Sequence, residues 1–184
     1  MELPNFKYHP DPIHTGSIKI SDAECKCCGE SRGYIYDGPV YATAELRESI
    51  CPFCIADDSA HLKFGASFVD VMGVGGEGAW DIVPEEVIAE IAFRTPSFSG
   101  WQQEQWWTHC NDGAEFLGIA GYVELQQYGE EAVEAIRQAF SNDTDIKGEE
   151  LNKYIEGFHR DNGPTAYIFK CRHCQKLGGY WDSH

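Results

Sequence analysis

The cysteines constrain this chain more than any other feature. Eight of them stand at positions 25, 27, 28, 51, 54, 110, 171 and 174, and six fall into C-x-x-C pairs. A disulfide framework belongs to an oxidising compartment, yet the opening Met1-Glu2-Leu3-Pro4 has no basic-then-apolar secretion signal. In a reducing compartment, C-x-x-C pairs far apart in sequence more often hold a metal. The expectation is a cytoplasmic protein whose thiolates bind zinc.

Cys25-Lys26-Cys27-Cys28-Gly29 and Cys51-Pro52-Phe53-Cys54 give the strongest signal. Zinc takes four tetrahedral ligands, and thiolate sulfur at about 2.3 Å suits it. A C-x-x-C-Gly turn points two sulfurs to one side, and Gly29 permits the backbone angle the turn needs. The expected ligands are Cys25, Cys28, Cys51 and Cys54, with Cys27 the odd member. Tyr34-Ile35-Tyr36 and Val40-Tyr41 flank Asp37-Gly38-Pro39, which predicts a β-hairpin. The run from Ile55 to Phe64 lacks Gly and Pro and reads as a helix. Knuckle, hairpin and helix in that order make a treble-clef-like zinc module.

A second knuckle, Cys171-Arg172-His173-Cys174, follows an expected strand over Thr165 to Lys170. Its partners must come from elsewhere, and Cys110 beside His109 is the obvious source. The second candidate set is therefore His109, Cys110, Cys171 and Cys174, so that one zinc is expected and two are possible. Cys27, His173, His184 and Asp112 are alternative suppliers of a fourth ligand, and a lone C-x-x-C can also be a redox pair.

Three cysteines around an open position, with Glu104 or Glu115 nearby, would resemble a zinc deaminase. The H-x-E and P-C-x-x-C signatures of those enzymes are missing, as are H-E-x-x-H, G-x-S-x-G and a P-loop. Gly73-Val74-Gly75-Gly76-Glu77-Gly78 reads as a loop and not a dinucleotide fingerprint. No catalytic residue is expected, and the chain reads as non-enzymatic. The alternative is a zinc-dependent enzyme or regulator acting on a small molecule through an open second site.

Charge narrows the partners. Thirty acidic against 14 basic side chains give a formal charge of −16, which repels phosphate and argues against direct nucleic-acid binding. No stretch approaches the roughly 18 apolar residues of a membrane span. From Asp81 to Asp161 there are 17 acidic and 5 basic residues, a net of −12. Helices are expected from Pro84, with Val87, Ile88, Ile91 and Ala92 on one face, and over Gly100–Cys110, Glu130–Phe140 and Glu149–Phe158. Gly179-Tyr180-Trp181 would return beside the last strand. The fold class is α+β, one compact domain over 1–184. Within it lie a zinc module (1–70), an acidic, mainly helical segment (71–164) and a C-terminal knuckle hairpin (165–184).

Several motifs together resemble one family. They are Leu3-Pro4-x-Phe6-x-Tyr8-His9-Pro10-Asp11-Pro12, Cys25-x-Cys27-Cys28, Cys51-Pro52-Phe53-Cys54-Ile55-Ala56 and Thr95-Pro96. Further along come Gly100-Trp101-Gln102-Gln103-Glu104, His109-Cys110-x-Asp112, Phe116-Leu117-Gly118 and Cys171-x-His173-Cys174. In these the chain is similar to the CbrC family of bacterial colicin-tolerance proteins. It departs from that pattern at Gln175, where a glycine commonly follows the last cysteine, and at Ala114, where some members have another cysteine. The resemblance implies an immunity or tolerance function exercised on a basic protein toxin. The acidic segment would steer such a partner, with Trp101, Trp106, Trp107, Tyr122 and Tyr128 as aromatic anchors.

Overall fold

A computed structural model describes residues 2–76 and 80–183. In chain order the elements begin with β1 (Ile18–Ile20), β2 (Tyr34–Tyr36), α1 (Pro52–Ala56), α2 (Ser59–Phe64) and a 3-10 turn over Val71–Gly73. Next come α3 (Glu85–Arg94), β3 (Thr108–His109), β4 (Asp112–Gly113) and β5 (Glu115–Ala120). The chain ends with α4 (Tyr122–Tyr128), α5 (Glu130–Asp143), α6 (Gly148–Glu156), β6 (Thr165–Lys170) and β7 (Leu177–Asp182). Helices and small antiparallel sheets together make the α+β class.

The largest sheet has the order β5-β6-β7, antiparallel throughout. Side chains alternate across a strand, and β6 uses both faces. Ala166 and Ile168 meet Leu125, Ile136, Phe140, Leu151, Ile155 and Phe158 of the helical layer. Tyr167 and Phe169 enter an aromatic core with Tyr8, Phe98, Trp106 and Phe116. There Phe98 stacks on Phe116 at 3.9 Å, and the Trp106 indole N–H donates to the Ala114 carbonyl at 2.9 Å. A third core surrounds the first cysteines with Phe6, Ile18, Tyr36, Leu46, Ile50, Ile55 and Phe68.

Four sequence expectations change. Tyr34–Tyr36 does not pair with Val40-Tyr41: β2 pairs backward with β1, Ile18 opposite Tyr36, and Tyr41 instead bridges Ser67. The reason is local, because Gly38 lies against the Tyr36 ring while the Tyr36 hydroxyl donates to the Pro39 carbonyl at 2.8 Å. The expected helix over Ile55–Phe64 breaks at Asp58, which sits at φ 68°, a region that short polar residues tolerate. No helix forms over Gly100–Cys110. Trp106 donates its N–H to the Gly73 carbonyl and accepts from Gly75, so its backbone is spent on the glycine loop. Finally, 71–164 is not only helical, since β5 lies within it and joins the C-terminal strands. The rest of the glycine loop, Glu77 and Gly78, lies outside the described residues.

The expected helices over Glu130–Phe140 and Glu149–Phe158 are α5 and α6, displaced at their ends by a few residues. The helix expected from Pro84 is α3, with Glu85 and Glu86 in its first turn. Among the described residues no helix is long and apolar enough to cross a membrane.

The N-terminal segment is held by a buried histidine. His9 is fully buried, with Nδ1 at 2.7 Å from the Pro96 carbonyl and Nε2 at 2.7 Å from the Thr15 hydroxyl. Desolvation drives its pKa down to about 4, against the opposing influence of the Pro96 carbonyl and Asp11. From pH 6.5 downward the unfolded chain therefore takes up a proton that the folded chain refuses until about pH 4. Stability contributed by the neutral ring is complete above pH 6.5 and is lost across that window, on the order of 3 kcal/mol. Urea midpoints measured across this range should fall less steeply for His9→Gln than for the native chain. Parallel curves would exclude this role for His9.

Candidate metal centres

The first centre is assembled at a turn and a helix start. Cys25 and Cys28 lie in a tight knuckle closed by the Gly29 N–H on the Cys25 carbonyl at 2.7 Å and the Cys25 N–H on the Glu30 carbonyl at 3.0 Å. Gly29 takes φ 73°, as the turn requires. Cys51 precedes α1, and Pro52, lacking an N–H, occupies its first position. The Sγ atoms of Cys25 and Cys54 are 3.9 Å apart, those of Cys28 and Cys51 3.9 Å, and those of Cys51 and Cys54 3.5 Å. A tetrahedral zinc with sulfurs at about 2.3 Å has edges of about 3.8 Å, so the spacing fits. A disulfide would bring two sulfurs to about 2.0 Å, and all eight cysteines are free thiols.

Electrostatics single out one anionic sulfur, since bonding to Cys25 pushes the Cys51 thiol up and burial pushes up that of Cys54. The Cys25 thiol is held well below the usual range, first by the Cys51 side chain and then by backbone amides. The Cys51 N–H donates to Cys25 Sγ at 3.2 Å. Cys27 stays outside the group, buried with its thiol 3.6 Å from the Ser59 hydroxyl.

A second group forms from two distant segments. Strands β3 and β4 make a hairpin in which His109 lies opposite Asp112, and its two loop residues, Cys110 and Asn111, have φ 57° and 56°. Positive φ at both positions is what a type I′ hairpin turn demands. His109 Nδ1 lies 3.2 Å from Cys110 Sγ and 3.5 Å from Cys174 Sγ. Trp107 stacks on the imidazole at 5.2 Å. Cys171 completes the set, so the ligating atoms of His109, Cys110, Cys171 and Cys174 lie within 4.8 Å of one another, as do those of the first centre. Against the cost of burial, backbone amides of Cys174 and His173 hold the Cys171 thiol low.

The two knuckles repeat each other bond for bond. In the second, the Gln175 N–H donates to the Cys171 carbonyl at 3.0 Å and the Cys171 N–H to the Lys176 carbonyl at 2.8 Å. Gln175 thus stands where Gly29 stands in the first, and it too takes a left-handed φ, 64°. That conformation disfavours a side chain, so Gln175→Gly should raise stability by about 0.5–1 kcal/mol. Thermal melting would check it, and an unchanged or lower midpoint would contradict the strain.

The alternative ligands have other tasks. Asp112 is buried and accepts from the Tyr8 hydroxyl at 2.6 Å, Arg172 Nη1 at 3.0 Å and the Gly113 N–H at 2.8 Å. His173 Nε2 lies 3.0 Å from the same carboxylate. Glu104 accepts from the Tyr41 hydroxyl at 2.6 Å, and Glu115 pairs with Lys170 and Arg172. His184 lies outside the described residues. Sequence reading passed over the Asp112 network because its partners come from residues 7–8, 112–113 and 172–173. The repeated charge-bearing types around His109 and Cys171 were its only visible sign.

The fold and these centres define a small α+β protein with two cysteine-rich groups able to hold metal ions. The chain belongs to the family described as "Uncharacterised protein family (UPF0167)", which it matches over residues 3–183. It is 43% identical over 176 residues to UPF0167 protein Mb2317 of Mycobacterium bovis, covering 94% of this chain and 89% of that one. It is 38% identical over 173 residues to UPF0167 protein PA1536 of Pseudomonas aeruginosa, covering 94% and 92%. No solved structure matches the chain.

Proposed function

We propose that this chain is a zinc-stabilised, non-enzymatic binding protein with two structural zinc ions. The observation that carries the reading is the closed ligand count: each centre offers four protein ligand atoms within 4.8 Å of one another. Catalytic zinc sites leave a position for water or substrate, and structural sites do not. Four thiolates serve the first ion; three thiolates and one imidazole serve the second.

The resemblance to the CbrC family supplies the partner class, a basic protein toxin met in the cytoplasm. The net charge of −16 supports that choice, because opposite charge accelerates encounter by orders of magnitude. The tryptophan anchors divide: Trp106 and Trp107 are core, and Trp101 keeps 40% of its surface exposed. Any aromatic contribution to binding at these three positions therefore rests mainly on Trp101.

Metal analysis of the purified chain should return two zinc ions per molecule. A basic nuclease toxin should bind with an association rate that falls steeply between low and physiological salt. One zinc per chain would remove the second site, and no binding at low ionic strength to a toxin encoded beside this protein would remove the partner.

A further inference from the structure

The helical layer leaves a groove where α5 passes over β7. It encloses about 620 Å³ and runs past His109 of the second centre. Small residues, Ala135 and Ala139 of α5 and Gly178 and Gly179 of β7, are part of its lining. Gly178 has no room for anything larger, since a Cβ there would lie 2.2 Å from the Trp107 ring. The Trp107 ring thus covers the side of Gly178 on which a side chain would stand.

The walls are aromatic and the rim is acidic. Trp80 and Trp181 are half-buried and line the groove with Trp107 behind them. Asp81, Glu131, Glu134 and Asp143 line it as well, against Lys176 as the one lysine or arginine among the described lining residues. Two of these carboxylates are fixed in place by β7 itself. Glu131 Oε1 accepts from the Leu177 N–H at 3.0 Å, and Asp143 Oδ2 from the Trp181 indole at 3.0 Å. Each such bond uses one oxygen of a carboxylate that has two. Indole faces beside fixed carboxylates suit a planar guanidinium, which stacks on one and forks to the other.

We infer that this groove is the docking site for an extended, arginine-bearing segment of a basic protein partner. The inference deepens the binding reading above and rests on it. Arginine is preferred to lysine because only guanidinium combines stacking with bidentate hydrogen bonding. Five consecutive residues of β7, Leu177 to Trp181, line the groove, so an extended segment can follow that strand.

The test uses the intact zinc-loaded chain and a fluorescein-labelled peptide of alternating arginine and glycine, with the lysine peptide as comparator. Fluorescence anisotropy at low salt should show the arginine peptide binding at least about fivefold more tightly. The double variant Glu134→Lys/Gln138→Lys places two cations on the exposed groove face of α5. It should weaken the arginine peptide by at least about tenfold. Glu149→Lys/Asn152→Lys makes the same charge change on α6, outside the groove, and should weaken it less than about threefold. Both variants should keep the native zinc content and circular dichroism, since all four positions are exposed.

Equal binding of the two peptides, or equal loss in the two double variants, would overturn the groove as the site. Capture of a whole basic toxin could survive that result, with affinity spread over the acidic surface. Failure of the toxin itself to bind the native chain would instead overturn the underlying reading. The two failures are thus distinguishable.

Discussion

Replacing Cys51 with serine is expected to remove one of two zinc equivalents and to unfold the N-terminal third of the chain. Cys51 is fully buried, its sulfur faces those of Cys28 and Cys54, and its N–H donates to Cys25 Sγ. The secondary structure around it is too short to stand alone. Strands β1 and β2 have three residues each, and α1 and α2 have five and six. Isolated helices shorter than about 12 residues and two-stranded hairpins are marginal in water. On the proposed reading the core about the cysteines would be held by the ion, and a structural zinc can supply about 10 kcal/mol or more of apparent folding energy.

The C-terminal sheet should survive, because its two cores contain none of the first four ligands. Zinc analysis with hydrogen exchange would resolve the halves: residues 18–68 should lose protection and β5–β7 should keep it. Cys110→Ser should also release one zinc, with a smaller stability loss, since Cys110 is exposed on a hairpin loop. Two zinc ions and native protection in Cys51→Ser would refute the first centre.

The grouping of the cysteines into two clusters was legible in the sequence to an unusual degree, for a physical reason. A C-x-x-C knuckle is a local structure, so Cys25 with Cys28 and Cys171 with Cys174 follow from spacing alone. Pairing a knuckle with its partner is harder, but thiolate chemistry leaves few candidates. His109 and Cys110 stood out as two adjacent ligand types, with Cys27, His173, His184 and Asp112 as alternatives. The helices of the acidic segment followed from period, as with Ile136 and Phe140 on the inner face of α5.

What failed was where tertiary contacts override local pattern. Tyr34-Ile35-Tyr36 was rightly extended, but its partner β1 lies before the knuckle, where no pattern marks it. Trp101, Trp106 and Trp107 looked helical because aromatic spacing is ambiguous in short runs. In the structure the backbone of Trp106 is tied to Gly73 and Gly75, 33 and 31 residues away, a link that no local rule contains. Strand β5 was missed because Gly118 interrupts it, and the register shifts between Phe116 and Gly118.

Asp112→Ala should be the most damaging change that touches no ligand. One carboxylate ties three segments: Tyr8 from the N-terminus, Arg172 and His173 from the second knuckle, and its own hairpin through Gly113. His109 is its cross-strand partner. The two halves of the second centre are therefore clamped together by a residue that does not belong to it. Burial opposes its ionisation, yet bonds from Tyr8 and His173 hold the carboxyl below the usual range.

Truncation would leave the Tyr8 hydroxyl without its acceptor and the Arg172 guanidinium with only the more distant Glu115 carboxylate, costing about 2–4 kcal/mol. Outer-shell losses of this kind typically weaken metal binding by about 10–100-fold. Competition with a chromophoric chelator should then show one zinc lost far more readily and the other unchanged. Asp112→Asn keeps the volume and two hydrogen-bonding groups, so it should fall between the native chain and alanine on both readouts. If alanine lowers stability but leaves both zinc affinities native, Asp112 serves the core alone and the clamp is wrong. Should both zinc ions loosen together, the damage is global unfolding, which the first centre's protection from exchange would reveal.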